Sequence, residues 1–221
     1  MSYRTVGKTR ECEFIEKKSV FISLAKRVFS EEEARAFIAE QKGKYKDARH
    51  HVYAYTLGED MNIQRYSDDG EPQGTGGIPI LEVIKKNDLK NLCVVVIRYF
   101  GGVLLGAGGL TRAYVKGASD AILSAGIVER VSGNEVNLLL EYDALGKIQH
   151  HFRERHKEII SVDYTDKVNV TVYLESHEVE ETIHEIMNLT SGKAEVHIHE
   201  EELFYKDSQR LQKEFEDYLM K

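Results

Sequence analysis

The segment NLCVVVIRYFGGVLLGAGG, residues 91 to 109, sets the terms for any fold this chain can take. From Leu92 to Ile97 every position is apolar. Successive strand side chains point to opposite sides, so a strand built from these residues must be covered on both faces and belongs in the middle of a sheet. The chain then passes Arg98, Tyr99 and Phe100 and enters a turn with five glycines, Gly101, Gly102, Gly106, Gly108 and Gly109. It leaves through a helix pattern, GLTRAYVKGASDAILSAG, on which Ala113, Gly117 and Ala121 form one stripe without bulk, and Gly126 supplies a C-terminal stop.

The remaining elements arrange themselves around that strand. ECEFIEKKS and VFISLAKRV alternate as a β-hairpin, with Phe21, Ser23, Ala25 and Arg27 opposite in face to Val20, Ile22, Leu24 and Lys26. Ser30 with Glu33 is a capping box, and Ala34, Phe37, Ile38 and Tyr45 follow at helical spacing. HVYAYTL is a strand and IPILEVIKKND a short helix. Beyond a short linker at residues 132–134, EVNLLLEYD, ALGKIQHHFRERH, EIISVDY, KVNVTVYLE, HEVEETIHEIMNLTS and AEVHIHEEELFY read in the order βαββαβ of the ferredoxin-like fold. DSQRLQKEFEDYLMK is expected to close the chain as a helix with Leu211, Phe215 and Leu219 on one face. The expectation is an α+β protein of two domains, residues 1–133 and 134–221, and 221 residues suffice for two cores.

Charge separates the two halves. Residues 1–133 hold 20 Lys and Arg against 17 Asp and Glu, and residues 134–221 hold 10 against 20, within a net charge of -7. A polyanion should therefore prefer the first half. No apolar run approaches the roughly 20 residues of a membrane span, so no membrane partner is expected. The N-terminal residues lack an export signal, and the two cysteines, Cys12 and Cys93, stand far apart without a CxxC partner. A reducing cytoplasm is the expected location; the pattern leaves oligomeric state open.

Two segments depart from ordinary structural sequence. SDDGEPQGTGGIP, residues 67–79, holds both prolines of the chain with Asp68, Asp69, Gly70, Glu71, Pro72, Thr75, Gly76 and Gly77, a composition that specifies one fixed loop path. The glycine-rich turn 101–109 can aim backbone N–H groups at one spot beside a helix start, where anions bind readily. The candidate site is a phosphate-sized anion site where the two loops meet. Its residues are Gly101, Gly102, Gly106, Gly108 and Gly109 with Arg98 and Arg112, joined by Arg49, Lys116 and one of His50 and His51. In the competing account Asp68, Asp69 or Glu71 neutralises Arg98 and Arg112 internally, or the carboxylates hold a hard cation. Neither GxxxxGK[ST] nor GxGxxG is present, and GxSxG, SxxK and HExxH are absent. His150 and His151, neighbours on a helix, diverge by about 100°, and His197 and His199, which share a strand face without a third ligand, read as strand surface residues. No cofactor, metal or catalytic residue is expected.

ARHHVYAY, SDDGEPQGTGGIPILEVI and CVVVIRYFGGVLLGAGGLTRAYVKGA, in that order and spacing, resemble the Impact family over residues 15 to 130. The second half is similar to the ferredoxin-like C-terminal domain of bacterial members, itself like a C-terminal domain of elongation factor G. For the first half the resemblance implies a two-layer α/β fold like that of the second domain of a small-subunit ribosomal protein and of elongation factor G domain IV. Eukaryotic members regulate translation by competing, through an RWD domain, for the activator of a kinase that phosphorylates an initiation factor. Here the Impact segment opens the sequence, so a general association with translation is what is expected to carry over. The resulting expectation is a non-enzymatic protein that binds RNA, the ribosome or translation factors through its first domain. Two readings of other classes compete: a phosphate-handling, small-molecule-kinase-like enzyme using the glycine-rich loop, and a pure protein-interaction module.

Overall fold

The computed structural model describes residues 2–208 and 210–213. The chain forms two compact units, Tyr3–Val128 and a second beginning at Glu129. In the first, β1 (Tyr3–Val6), β2 (Arg10–Glu16), β3 (Ser19–Arg27), α1 (Glu31–Lys44), β4 (His50–Leu57), β5 (Ile63–Ser67), α2 (Gly77–Lys86), β6 (Leu92–Tyr99) and α3 (Ala107–Ala125) follow in order. Five of these strands make one antiparallel sheet in the order β2-β3-β6-β4-β5. The apolar run is its middle strand, as its two-faced burial requires.

Alternation along β6 divides the core. Val94 and Val96 join Phe21, Ala25, Val52 and Ala54 under α2 and α3, while Cys93, Val95 and Ile97 join Ile22, Leu24 and Tyr55 under Phe37 and Ile38 of α1. Helices thus cover both sides, and the sheet is a middle layer. The two-layer reading of this unit lacks one layer, because a strand apolar on both faces cannot leave either to water. The bulk-free stripe of α3 does what its composition allows: a Cβ at Gly117 would stand 2.6 Å from Ser23 Oγ. Gly126 ends α3 at φ 73°. Ser30 Oγ accepts from Glu33 N at 3.1 Å, and Glu33 returns the bond to Phe29 N at 2.8 Å, one residue earlier than in the usual box. Strands β1 and β5 carry too little alternation to be read from sequence; β5 is an edge held by its ladder to β4.

The second unit is built from β7 (Ile127–Leu140), which enters it at Glu129, and from α4 (Tyr142–Glu154), β8 (Ile159–Tyr164), β9 (Val168–Glu175), α5 (Val179–Leu189), β10 (Glu195–Ile198), β11 (Glu202–Asp207) and β12 (Arg210–Gln212). β7 pairs β9 on one side and β10 on the other, and β8 pairs β9, giving the ferredoxin-like order β10-β7-β9-β8. Val136, Leu138, Leu140, Val168, Val170 and Val172 pack there against Ile148 and Phe152 of α4 and Ile186 of α5.

Three expectations change in this unit. Residues 132–134, read as a linker, lie inside β7, where Gly133 pairs Glu175 and Glu202; its missing side chain is needed, since a Cβ would meet Leu174 O at 2.7 Å and Phe204 Cδ2 at 2.8 Å. The single last strand is two, β10 and β11, both laid along β7 and interrupted at residues 199–201, because four steps from Ile198 to Glu202 run against three from Val136 to Gly133, leaving one extra residue as a bulge. The expected terminal helix is, over Arg210–Gln212, a strand paired with β11, because Leu211 is buried with Val131 and Phe204. Phe215 and Leu219 lie outside the described residues.

Candidate functional site

Arg98 continues the alternation of Val94 and Val96, which aims a cation into the face under α2 and α3, where it is only 4% exposed. A charge buried there needs a partner, and the loop after β5 delivers one. Arg98 Nη1 donates to Glu71 Oε1 at 2.7 Å, Nη2 donates to Ser19 Oγ at 3.2 Å, and the Tyr114 hydroxyl donates to the same Glu71 oxygen at 2.8 Å. Burial, then the Glu71 carboxylate, pushes the Tyr114 phenol up and keeps it a donor.

The register decides between the two histidines. His50 pairs Arg98 across the ladder and shares its face. Its Nδ1 lies 2.9 Å from the Asp69 carbonyl, which can only accept, so Nδ1 carries the proton and Nε2 faces Glu71 Oε1 at 3.8 Å. His51 points to the α1 face, and its backbone N–H donates to Asp69 Oδ2 at 2.7 Å. Burial holds the His51 imidazole below its ordinary pKa, with the Tyr45 carbonyl and Asp69 offsetting only part of that. For Asp69, burial works to raise the carboxyl, but the Lys42 ammonium at 2.8 Å and the His51 N–H together bring it below the usual range.

Asp68 fills the start of α2. Its Oδ1 accepts from Gly76 N at 2.9 Å and Gly77 N at 2.8 Å, and its Oδ2 from Gly74 N at 2.8 Å. Glycine is required at both helix-start positions, since a Cβ would meet Val52 Cγ1 at 2.7 Å from Gly76 and the Ser67 backbone at 2.9 Å from Gly77. Thr75 closes the loop by donating its hydroxyl to the Pro72 carbonyl at 2.6 Å, and Gly70 turns it at φ 88°. All three carboxylates of the loop are therefore engaged with the protein itself. Among the described residues no group of three or more His, Cys, Asp or Glu side chains is placed to hold a metal ion.

The start of α3 differs. Its N-cap is Gly106, with no side-chain cap and no acidic residue in the first turn. Arg112 is exposed, has no ion pair among the described residues, and lies over the first turn with Nη1 3.6 Å from where a Gly108 Cβ would stand. Gly102 and Gly106 hold positive φ, and Gly109 packs on Leu105. Gly101 is pressed against the β2–β3 hairpin: a Cβ would stand 2.0 Å from Lys18 O, and its N–H donates to Ser19 Oγ at 3.3 Å. Arg49 is exposed at the same end of the sheet, its N–H on the Arg98 carbonyl at 3.2 Å. Lys116, further along α3, pairs with Asp120 at 2.6 Å.

The structure thus sorts the candidate residues into two groups. Arg98, His50, Asp69, Glu71 and the Asp68 turn form an internal network, so the competing account holds for Arg98. Arg112, Arg49 and the glycine turn remain at the surface, and for Arg112 that account does not hold. Sequence reading missed Ser19 and Tyr114, which complete the network, and Lys17, Lys18 and Phe100, which flank the turn. Lys17 and Lys18 occupy the two-residue hairpin at φ 45° and 66°, positions that favour glycine or asparagine; two lysines between alternating strands were the available signal.

Fold and site together define a two-domain α+β protein with an open glycine-rich turn set over a buried ion-pair network. Residues 17–122 match the model of the Impact N-terminal domain, and residues 138–193 match a domain of unknown function, DUF1949. The chain is 42% identical over 195 residues to the IMPACT family member YvyE of Bacillus subtilis, covering 88% of this chain and 90% of that one. It is 33% identical over 182 residues to YigZ of Escherichia coli, with 81% and 89% covered. A crystal structure of a hypothetical protein superimposes with a TM-score of 0.57 at 32% identity, covering 91% of this chain and 98% of the other. The chain belongs to the Impact family. No helix among the described residues is long and apolar enough to cross a membrane.

Proposed function

We propose that this is a binding protein rather than an enzyme, and that it takes RNA on the exposed end of its first unit's sheet as part of its association with translation. The observation that carries the reading is the contrast between the two glycine-rich helix starts. At α2 the protein's own Asp68 occupies the N–H groups, whereas α3 begins without a side-chain cap, under an exposed Arg112. Arg112 is the sixth residue of α3, but its guanidinium lies back over the first turn beside Gly108; a cation there opposes the helix dipole by about 0.3–1 kcal/mol, a cost that a bound phosphate would reverse. The exposed Lys17 and Lys18, in the hairpin turn whose backbone packs on Gly101, and Arg49 at the same sheet end add positive charge, while Asp68, Asp69 and Glu71 are withdrawn into internal bonds.

Fluorescence anisotropy with labelled RNA across a salt series tests this. Binding should weaken steeply with salt, with a log–log slope that scales with the number of phosphates contacted. Arg112→Ala should lower affinity by about 1–3 kcal/mol and leave the melting temperature nearly unchanged, because the side chain is exposed and unpaired. A large melting loss with unchanged affinity would make Arg112 a structural tie and sink the site. Stabilisation by ATP with magnesium, in place of RNA binding, would favour the phosphate-handling enzyme.

A further inference from the structure

A row of rings and cations crosses the face of the sheet under α3. Lys116 Nζ stands 4.8 Å from the Phe14 ring centroid, and Phe14 and Phe21 stack at 5.0 Å and 4°. The Arg98 guanidinium then lies 5.5 Å from the Phe21 centroid and 5.5 Å from that of Phe100. Phe100 ends the row where the glycine turn begins, and it is 41% exposed. Three and four residues beyond it Val103 is exposed and Leu104 is 82% exposed, so the glycine-rich turn presents apolar side chains to solvent next to the ring.

Resting on the RNA reading above, we propose that Phe100 is a stacking platform for an unpaired nucleobase, and that the site therefore selects single-stranded over duplex RNA. The ring stands against a buried guanidinium that Glu71 and Ser19 hold in place, and part of it is open to solvent. A base laid on the ring would add the next layer to a row the protein has already built. In a duplex the faces of the bases are occupied by one another, so the ring has nothing to stack on; a single strand can offer them. The exposed Lys17 and Lys18 belong to the hairpin turn whose backbone packs on Gly101, the next residue, and Arg112 lies over the first turn of α3, so cations flank the glycine turn that follows the ring and can meet a sugar–phosphate backbone there. Phenylalanine has no hydrogen-bonding group with which to read a base edge, so the preference should be for strandedness and not for sequence.

The chain contains no tryptophan, which gives a direct readout. In the full-length chain Phe100→Trp should stay folded, bind a single strand of about 12 nucleotides, within the usual footprint, and show emission quenched by that strand but not by the matching duplex. Phe100→Ala should weaken single-strand binding about 5- to 150-fold, the equivalent of one base–aromatic stack, and leave duplex affinity unchanged. Phe100→Trp should retain single-strand affinity, so a folding defect in the alanine variant cannot blunt the test. Unchanged single-strand affinity in Phe100→Ala, or equal quenching by both RNAs, overturns the stacking inference and leaves the RNA reading standing. Failure of the unsubstituted chain to bind either RNA overturns the RNA reading, and the inference with it.

Discussion

Glu71→Gln should damage the first unit far more than the loss of one surface charge would. Arg98 and Glu71 are both nearly buried, 4% and 9% exposed, and one Glu71 oxygen receives both the guanidinium at 2.7 Å and the Tyr114 hydroxyl at 2.8 Å. The amide keeps an acceptor but loses the charge, and it adds an N–H₂ group among donors. Arg98 would stay buried and cationic without its counter-ion, a situation that costs about 3–5 kcal/mol. For a unit of this size about 1 kcal/mol corresponds to roughly 3–4 °C, so its melting transition should fall by roughly 9–20 °C. The double substitution Glu71→Leu with Arg98→Met removes both charges, leaving mainly the Tyr114 hydroxyl unsatisfied at about 1–3 kcal/mol. It should therefore be more stable than Glu71→Gln. Differential scanning calorimetry of the full-length variants measures both. A loss below about 1 kcal/mol in Glu71→Gln, or a double variant no better than the single, would refute the claim that burial makes this pair obligatory.

The course of β7 yields a second expectation. A fragment beginning at Glu129 keeps the β7–β11 ladder, whereas one beginning at Asn134 loses it along with Val131, buried against Phe204 and Leu211. The shorter fragment should be less stable to urea by about 2 kcal/mol, the scale of burying one such side chain; equal midpoints would show that the first half of β7 contributes nothing to the unit. A third concerns acid. Burial depresses the His51 pKa, so the unfolded chain takes up the proton first, and the stability His51 contributes should be intact above about pH 6.5 and decline as pH falls below it. Asp69, also depressed, adds a loss in the same direction at lower pH. Comparing calorimetric stability of the parent and His51→Gln between neutral and mildly acidic pH isolates the first step, and parallel curves would exclude His51 as its source.

Residues whose surroundings are set by near neighbours in the chain were legible before any coordinates. Continuous apolarity placed β6 at the centre, the absence of bulk at Ala113, Gly117 and Ala121 brought α3 down on the sheet, and Ser30 with Glu33 began α1. Period alone also established the βαββαβ order of the second unit, and that His50 and His51 face opposite ways. Which of the two faces Glu71 was beyond it, because that depends on pairing His50 with Arg98, a register shared by strands some 48 residues apart. The same holds for the division of labour in the glycine-rich segments. Nothing local distinguishes Asp68, which occupies a helix start, from Glu71, which is buried against a guanidinium, or Arg98 from Arg112. Nor does local pattern show that a helix-spaced leucine, Leu211, belongs to a strand, or that Ser132 to Asn134 continue one. Local periodicity is a property of a few bonds and is written in the sequence; partnership across the sheet is settled only when the layers close and each buried charge must find its counter-charge.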